Sequence, residues 1–528
     1  MLDLPPLEPP HHFQHMHIFE FEKDPEMKPA LSRRDFLRNS TALALSSVIM
    51  PLSAAWAQGR ASFSTPLAIP PVDTGTVVDG VRVFDLNLQN GRTEFFPGLQ
   101  TETSGINGGF LGPVLRMRRG ETVRMQVNNQ LGRASTLHWH GLNVPAAADG
   151  GPHQVVRPGE TWSPQFEIHD VASTMWYHAH QLNETAAQVW AGLAGMIVID
   201  DAVSDELALP SEYGTDDIPL VLQDRRFNRN GSMPYSISMH DEMAGMQGNI
   251  PLVNGTVLPH FVVTTQSLRL RVLNGSNASL YMLAFSDDRP FMQITSDGGL
   301  LEAPVSMSRL PLAPGERAEI IVEFDAGDAV LLQSVASGAR SGMGRGMGMG
   351  SGMGMGEQNP LFDLVEFRAP GALRPSASLP QSLAQLPAVS ARDALRTRRF
   401  RLDMPQMGPM RMLGLGGGFT INGETMDINR IDEVVPVGEA EVWEISNASP
   451  MVHPFHIHNT QFRILDRDGR TPARNETGLK DTVVVNPGET VRLLVRFENY
   501  SDAERPYMYH CHILEHEDAG MMGQFTVV

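Results

Sequence analysis

The sequence predicts an all-β protein of three Greek-key β-sandwich domains, and three observations support that prediction. The chain has 528 residues, which is too many for a single hydrophobic core. Its 49 glycines and 38 prolines indicate many turns and disfavour helical bundles. Two short motifs recur three times, each time followed by residues that alternate between apolar and polar, as a half-buried strand does.

The recurring motifs are an asparagine turn and a Pro-Gly-Glu tripeptide. The turns contain Asn128-Asn129, Asn274 and Asn447, and the tripeptides occupy residues 158–160, 314–316 and 487–489. The separation between turn and tripeptide is the same in the second and third copies and shorter in the first. Strand-like alternation is clearest at residues 318–324 and 491–497. Matched spacing favours three related domains over chance repetition.

Domain boundaries follow from local composition. We expect a leader over residues 1–57 and β domains over residues 58–203, 204–368 and 396–528. Residues 369–395 are rich in Pro, Ser and Ala and form the predicted linker to the third domain. Residues 342–356, in which Gly alternates with Met, form a low-complexity loop within the second domain. That loop either recruits a metal ion, covers a site or is simply flexible.

The leader contains an export signal of the twin-arginine type. Arg33 and Arg34 precede an apolar stretch over residues 41–57 that ends in Ala55-Trp56-Ala57. Serines and a proline interrupt this short stretch, so a membrane anchor is the weaker interpretation. We therefore expect cleavage after Ala57, export to the periplasm and no stable membrane insertion.

Charge and cysteine content exclude several classes of protein. The formal net charge is −19, whereas nucleic-acid binding needs a basic surface. The only cysteine is Cys511, so an internal disulfide framework is excluded. We expect the protein to be a monomer.

Ten of the 18 histidines fall into four short clusters that contain His-x-His pairs. On a strand, both imidazoles of such a pair point to the same face and can reach one metal ion or two adjacent ions. Two pairs belong to the first predicted domain and two to the third. This predicts an eight-imidazole site between those domains, and imidazole suits copper. The pairs are His138/His140, His178/His180, His456/His458 and His510/His512.

A second metal site is predicted around Cys511. On a strand its sulfur points away from the face used by its two neighbouring histidines. His516 and Met521 follow closely enough to curve back towards that sulfur, and His453 can approach from another strand. Two histidines, a thiolate and a methionine are the ligands of a blue-copper electron-transfer site. A structural zinc site is the alternative, but it leaves the eight paired histidines unexplained.

These motifs resemble the multicopper oxidase family over residues 60–528, most specifically at residues 453–458 and 510–521. The segments HCHILEHEDAGMM at residues 510–522 and SDGGLL at residues 296–301 resemble bacterial copper-efflux (cuprous) oxidases. The resemblance implies three cupredoxin-like domains and four copper ions, one of type 1, one of type 2 and two of type 3. It implies type 1 ligands His453, Cys511, His516 and Met521, type 2 ligands His138 and His456, and type 3 ligands His140, His178 and His512 with His180, His458 and His510.

The implied reaction couples four one-electron oxidations to the reduction of O2 to water. Electrons would cross through Cys511, whose two neighbours in sequence belong to the eight-histidine site. Reduction of O2 consumes protons, so acids are needed near that site. The resemblance assigns this role to Asp149 and Glu517. For Asp149, which precedes two glycines, an ordinary turn residue is the alternative.

Two classes of reductant compete. Cu(I), in periplasmic copper tolerance, is favoured by the methionines, because thioethers are soft ligands that select Cu(I). Candidate ligands for this substrate ion are Met404, Met407 and Met451, for which ordinary packing is the alternative. Phenols and aromatic amines, the substrates of laccases, are favoured by Ser449, since cuprous oxidases usually have a carboxylate there.

A non-enzymatic interpretation is a copper-binding or cell-envelope scaffold protein of the same fold. Such relatives lose copper ligands, whereas all twelve ligand positions in this chain have the expected residue type. Measured copper content separates these classes, since about four ions per chain would support the oxidase.

Overall fold

The computed structural model describes residues 63–336, 360–404 and 418–528. Its 34 strands form six sheets, which pair into three β-sandwiches, each with its own apolar core. The prediction of an all-β fold with three sandwich domains is therefore confirmed. The predicted export signal at Arg33 and Arg34, the loop at residues 342–356 and Met407 lie outside the described residues.

The first sandwich contains eleven strands. They are β2 (Val72–Asp73), β3 (Thr76–Val78), β4 (Val81–Phe96), β5 (Leu99–Ile106), β6 (Val114–Arg118), β7 (Thr122–Asn129), β8 (His138–His140), β9 (Thr161–Trp162), β10 (Gln165–Glu167), β11 (Ser173–His178) and β12 (Ala194–Asp200). One sheet has the order β10-β7-β4-β3, with β5 on β4 and β9 on β7. The other sheet has the order β2-β6-β12-β11-β8, so β8 forms its edge.

The second sandwich contains thirteen strands. They are β1 (Thr65–Pro66), β13 (Asp217–Arg225), β14 (Ile250–Val253), β15 (Thr256–Val257), β16 (Pro259–Val262), β17 (Ser267–Asn274), β18 (Tyr281–Phe285), β19 (Phe291–Ser296), β20 (Gly299–Met307), β21 (Leu310–Leu312), β22 (Arg317–Glu323), β23 (Ala329–Ser334) and β24 (Phe362–Arg368). Their orders are β1-β16-β24-β23-β18-β21 and β15-β14-β13-β17-β22-β19-β20. Strand β1 thus precedes the first sandwich in sequence but pairs, in parallel, with β16 of the second.

The third sandwich contains ten strands. They are β25 (Ala394–Asp403), β26 (Thr420–Ile421), β27 (Glu433–Val435), β28 (Ala440–Asn447), β29 (His453–Ile457), β30 (Arg463–Arg467), β31 (Thr482–Val485), β32 (Thr490–Arg496), β33 (Asp502–Cys511) and β34 (Met522–Val527). The two orders are β26-β25-β28-β32-β30 and β27-β34-β33-β29-β31. Strands β29 and β33 are adjacent, which brings two of the histidine clusters together.

The repeated motifs contact each other in every sandwich. In each copy the Gly amide of Pro-Gly-Glu donates to the carbonyl of the turn asparagine, over 2.7 Å at Asn129, 3.0 Å at Asn274 and 2.9 Å at Asn447. The three glycines have φ of +81°, +84° and +75°, a conformation that glycine adopts without steric cost. The recurrence in sequence therefore reflects one tertiary contact made three times.

Short helices connect the strands. They are α1 (Thr185–Ala191), α2 (Ala202–Asp205), α3 (Met239–Ala244) and α4 (Leu514–Asp518), with 3-10 turns at Ala146–Ala148, Ala391–Asp393 and Arg474–Glu476. Helix α4 packs against both α1 and α3. Within the described parts of the chain, no helix has the length and apolar character needed to cross a bilayer.

Candidate metal centres

The eight paired histidines meet between the first and third sandwiches. Strand β8 pairs with β11 so that His138 lies opposite His178, and β29 pairs with β33 so that His456 lies opposite His510. Because side chains alternate along a strand, both rings of each His-x-His pair face the neighbouring sandwich. All eight side chains are buried, with at most 1% of any residue exposed.

Rings from the two sandwiches stack on one another. The ring centroids of His138 and His458 are 3.8 Å apart, and those of His140 and His456 are 3.7 Å apart. Three sets of ring nitrogens each lie within 4.8 Å of one another: His138/His456/His458, His140/His178/His512 and His180/His458/His510. The structure therefore brings together all the residues that the sequence predicted for this site.

Hydrogen bonds fix one nitrogen of most rings and leave the other free. The Nδ1 atoms of His138, His178 and His456 donate to backbone carbonyl oxygens over 2.8–2.9 Å. Their Nε2 atoms are buried and have no hydrogen-bond partner. His140 is reversed, since its Nε2 contacts Asp481 and its Nδ1 is the unpartnered atom. Buried ring nitrogens without partners are costly unless a metal ion accepts their lone pairs, so this donor set fits copper.

Burial also keeps these rings neutral. It lowers the pKa of His178 to about 3 and that of His180 to about 4. A neutral imidazole has the lone pair that a metal ligand requires.

Two buried acids contact different histidines of the cluster. An Asp149 Oδ2 atom accepts from His458 Nδ1 over 2.8 Å. The Glu517 carboxylate lies 3.3 Å from His180 Nδ1 and 3.1 Å from His510 Nδ1. Burial raises the pKa of the Asp149 carboxyl well above its usual range. Asp149 is also part of a tight turn, because Gly150 has φ of +78° and no room for a Cβ against Leu137.

The second predicted site forms around the Cys511 sulfur. His453 Nδ1 lies 3.4 Å from this sulfur and His516 Nδ1 lies 3.6 Å from it. Met521 is buried in the same core cluster, and its carbonyl accepts from the Cys511 amide over 3.0 Å. Burial raises the pKa of the Cys511 thiol, so a metal ion would have to displace its proton.

The outer nitrogens of His453 and His516 have different surroundings. Ser449 Oγ hydrogen-bonds with His453 Nε2 over 2.7 Å. It also accepts from the amide of Met451, which is buried. His516 Nε2 donates to the carbonyl of Met243, in α3, over 3.1 Å. The Phe419 ring stacks on the His516 ring with centroids 4.0 Å apart. Met404 is half-buried against the core of the third sandwich.

A buried ion pair next to the histidines was not predicted from the sequence. The Arg317 guanidinium, from the second sandwich, donates to both carboxylate oxygens of Asp481 over 2.7 and 2.6 Å. Asp481 Oδ1 in turn lies 3.0 Å from His140 Nε2. The only available sequence signal was local, since Arg317 directly follows the second Pro-Gly-Glu tripeptide.

The glycine of that tripeptide supports the same cluster. A Cβ on Gly315 would lie 2.8 Å from the His512 ring, and φ at Gly315 is +84°. The second sandwich therefore contributes no predicted ligand but packs its repeated turn directly against one.

Comparisons with known proteins agree with this geometry. Two family models, both described as multicopper oxidase, match residues 87–204 and 396–528. Multicopper oxidase mco of Staphylococcus haemolyticus is 35% identical over 85% of this chain and 89% of its own length. Cell division protein FtsP of Escherichia coli is 35% identical over 94% of this chain and 99% of its own length.

Solved structures give the same picture. A laccase from Pediococcus acidilactici is 36% identical, with a TM-score of 0.76, over 88% of this chain and 93% of that one. A laccase-like multicopper oxidase CueO from Ochrobactrum sp., described as active towards lignin model compounds, is 36% identical, with a TM-score of 0.77, over 88% of this chain and all of that one.

Proposed function

The chain belongs to the multicopper oxidase family, and from that premise we propose that it oxidises Cu(I) to Cu(II) with O2 as the electron acceptor. Family membership makes it an oxidoreductase with copper cofactors. The proposal concerns the reductant, the number of copper ions and the residues that serve them.

Twelve residues would hold four copper ions. Copper at these positions supplies one-electron transfer at the sulfur site and reduction of O2 to water at the histidine cluster. Support comes from the donor set, whose free ring nitrogens converge in three groups and whose thiol lies between two imidazoles. The proposed ligands are His453, Cys511, His516 and Met521 for type 1, His138 and His456 for type 2, and His140, His178, His512, His180, His458 and His510 for type 3.

Cys511 connects the two centres within one strand. Its side chain points into the core of the third sandwich, whereas those of its neighbours His510 and His512 point to the cluster. An electron that enters at the Cys511 sulfur can therefore pass through covalent bonds to the adjacent residue, His510 or His512, and so to the cluster.

Asp149 and Glu517 are the proposed proton carriers. Each is buried, and each contacts the Nδ1 atom of a cluster histidine, Asp149 at His458 and Glu517 at His180 and His510. Buried carboxyl groups next to the histidines of the proposed reacting site are suited to general acid catalysis.

Methionines around the type 1 ligands are the observation that supports Cu(I) as the substrate. Met451 is buried two residues before His453, Met243 contacts His516 through its carbonyl, and Met404 lies on the same core. Thioethers select Cu(I) over harder cations. We propose Met404, Met407 and Met451, all in the third domain, as ligands of the substrate Cu(I). For Met407 the support comes from the sequence alone.

Oxidation of phenols or aromatic amines is the second candidate. Ser449 places a neutral hydroxyl, and not a carboxylate, 2.7 Å from His453 Nε2. A substrate cation is held less tightly there, which favours organic reductants. The similarity to a laccase and to an oxidase of lignin model compounds supports this candidate.

A role in cell division is the third candidate, because FtsP is similar over nearly the whole chain. A scaffold role of that kind needs no copper, so it conflicts with a donor set that is complete in residue type and buried. In every case we propose that the protein works in the periplasm after twin-arginine export, on the strength of the Arg33-Arg34 signal. We also propose that it is a monomer.

Oxygen consumption by the copper-loaded protein tests the proposal. With Cu(I) as the reductant we expect rapid uptake, and with a phenol we expect uptake only when Cu(II) is added as a mediator. The control is the Cys511→Ser variant, which keeps the cluster ligands but loses the thiolate. Equal phenol oxidation with and without Cu(II) would identify a laccase. No uptake with either reductant, despite about four bound coppers, would refute an oxidase function.

A further inference from the structure

Helix α3 belongs to the second sandwich but lies over a proposed type 1 ligand in the third. The His516 Nε2 atom donates to the carbonyl of Met243, 3.1 Å away, and α3 packs against α4, which contains His516. The Phe419 ring also stacks on the His516 ring, so Phe419 and the α3 backbone both contact this buried ligand. An electron donor seated on α3 would therefore lie one hydrogen bond from this ligand.

Two methionines and an acid lie on one side of α3. Met239 and Met243 are one helical turn apart, and Glu242 is three residues after Met239, so the three side chains are neighbours. Met239 is 70% exposed, whereas Met243 is half-buried against the core of the third sandwich. The pair therefore leads from solvent towards His516.

The helix is held in place although it is short. Ser238 and Asp241 form a capping box at its first turn. The buried Asp241 carboxylate also forms an ion pair with Arg226 over 2.6 Å. A fixed helix keeps the two thioethers at a constant position relative to His516.

The exposure of Met239 is not explained by packing. A methionine gains most from filling gaps in a core, and its side chain makes almost none of those contacts here. A solvent-facing thioether one turn from a second thioether is, however, a soft site that selects Cu(I). The exposed Glu242 carboxylate adds a hard ligand beside this soft pair.

We propose that Met239 and Met243, with Glu242, form an entry site for the Cu(I) substrate on α3, distinct from the methionines of the third sandwich. Each Cu(I) bound there loses one electron, which enters the protein at His516 through the Met243 carbonyl contact. Four Cu(I) ions are oxidised for each O2, with four protons consumed and two waters formed. The Cu(II) product prefers oxygen ligands to thioethers, so it leaves by way of Glu242. This inference rests on the proposed cuprous oxidase activity.

Silver(I) binding and cuprous oxidation by matched variants test the site. The test variant is Met239→Leu/Met243→Leu, which keeps helix propensity and side-chain volume. The control is Met292→Leu/Met307→Leu, which removes two half-buried methionines from the same sandwich, away from His516. Ag(I) is a soft monovalent ion that does not donate an electron in this reaction, and its uptake by the copper-loaded protein is measured by equilibrium dialysis.

We expect the test variant to bind one Ag(I) fewer than the wild type and the control. Its KM for Cu(I) should rise at least about tenfold while kcat is retained, because a lost docking site weakens binding more than turnover. Equal Ag(I) binding by test and control variants, with KM within about twofold, would overturn the site. If the proposed function itself were wrong, the wild type would consume no O2 with Cu(I). Ag(I) binding by the test and control variants would still decide whether the site exists.

Glu242→Gln tests the acid separately. This variant retains both thioethers, so Ag(I) binding should persist, whereas inhibition by added Cu(II) should weaken. Unchanged inhibition would remove Glu242 from the site and leave the two methionines as its only members.

Discussion

Asp481 connects all three sandwiches through one carboxylate. It belongs to the third sandwich and accepts hydrogen bonds from both terminal nitrogens of Arg317, in the second sandwich. It also lies 3.0 Å from His140 Nε2, in the first sandwich. Arg317 and Asp481 are both completely buried. The carboxylate orients the His140 ring, so that Nδ1 is the nitrogen left for a metal ion. A residue that hydrogen-bonds to a metal ligand in this way commonly tunes the affinity of the site for the metal.

Asp481→Asn should therefore weaken both folding and copper binding. Removing one charge leaves the buried Arg317 with only the more distant Asp297 carboxylate, 3.9 Å away, which we expect to cost about 3–5 kcal/mol of unfolding free energy. Copper affinity at the cluster should fall about 10- to 100-fold, because a neutral amide oxygen orients the His140 ring less strongly than a carboxylate does. Denaturant unfolding and copper retained after dialysis against a chelator measure the two effects.

Asp466→Asn is the matched control for that variant. Asp466 pairs with Arg492, whose side chain is 41% exposed, so its loss should cost less than about 1 kcal/mol. If both variants retained copper equally, Asp481 would have no role in orienting His140.

At the scale of elements, the five-residue helix α4 contacts all three sandwiches. The Glu515 carboxylate accepts from Asn277 of the second sandwich over 2.8 Å. The Asp518 carboxylate accepts from the amides of Thr185 and Ala186, at the start of α1 in the first sandwich, over 3.0 and 2.9 Å. His516 faces the Cys511 sulfur, and Glu517 faces the histidine cluster. The segment therefore positions a proposed ligand and acid by contacts to both other sandwiches.

The repeated asparagine turn allows one substitution to be compared in three contexts. Each asparagine Nδ2 donates to two backbone carbonyls, and for Asn447 one of these belongs to Met451. Asn→Ala leaves buried carbonyls unpaired, so we expect each variant to lose about 1–3 kcal/mol of unfolding free energy. Only Asn447→Ala should also change the visible absorption of the type 1 copper, because its Oδ1 accepts from the Ser449 amide beside His453.

Asn129→Ala and Asn274→Ala serve as the controls in that comparison, measured by denaturant unfolding and absorption spectroscopy. An unchanged spectrum in Asn447→Ala, together with the expected destabilisation, would show that the turn does not position the type 1 surroundings.

Local periodicity explains which elements were predictable from the sequence. His138 and His140, two residues apart, share a face on any strand, so their common site follows from the alternation of side chains. The contact between each Pro-Gly-Glu turn and its asparagine likewise follows from a spacing within one domain. By contrast, the pairing of β1 with the second sandwich, the contact of Met243 with His516 and the Arg317–Asp481 pair join distant segments. No periodicity of one segment reports on such contacts, and the domain boundaries drawn from composition stay predictions.

For the whole molecule, the candidate cluster is a seam between the first and third sandwiches. Each sandwich presents two His-x-His pairs, and rings stack across the seam at 3.7 and 3.8 Å. The second sandwich holds the seam from the side, through Gly315 against His512 and Arg317 on Asp481. The proposed type 1 ligands, in contrast, all belong to the third sandwich, so copper at the two centres should affect the molecule differently.

Removal of copper should therefore loosen the seam. Without metal, buried ring nitrogens such as those of His138 and His178 have no partner, which opposes close approach of the two sandwiches. Copper at 1,000 times its dissociation constant would stabilise the folded chain by about 4 kcal/mol per independent site. We expect copper-free protein to unfold at lower denaturant concentration and the amides of β8 and β11 to exchange hydrogen faster.

Copper-loaded Cys511→Ser separates the two centres, because it loses the proposed type 1 thiolate but keeps all eight cluster histidines. Its β8 and β11 amides should exchange as slowly as those of the loaded wild type. Equal exchange in loaded and copper-free wild type would mean that protein contacts alone, chiefly those of Arg317 and Asp481, hold the sandwiches together.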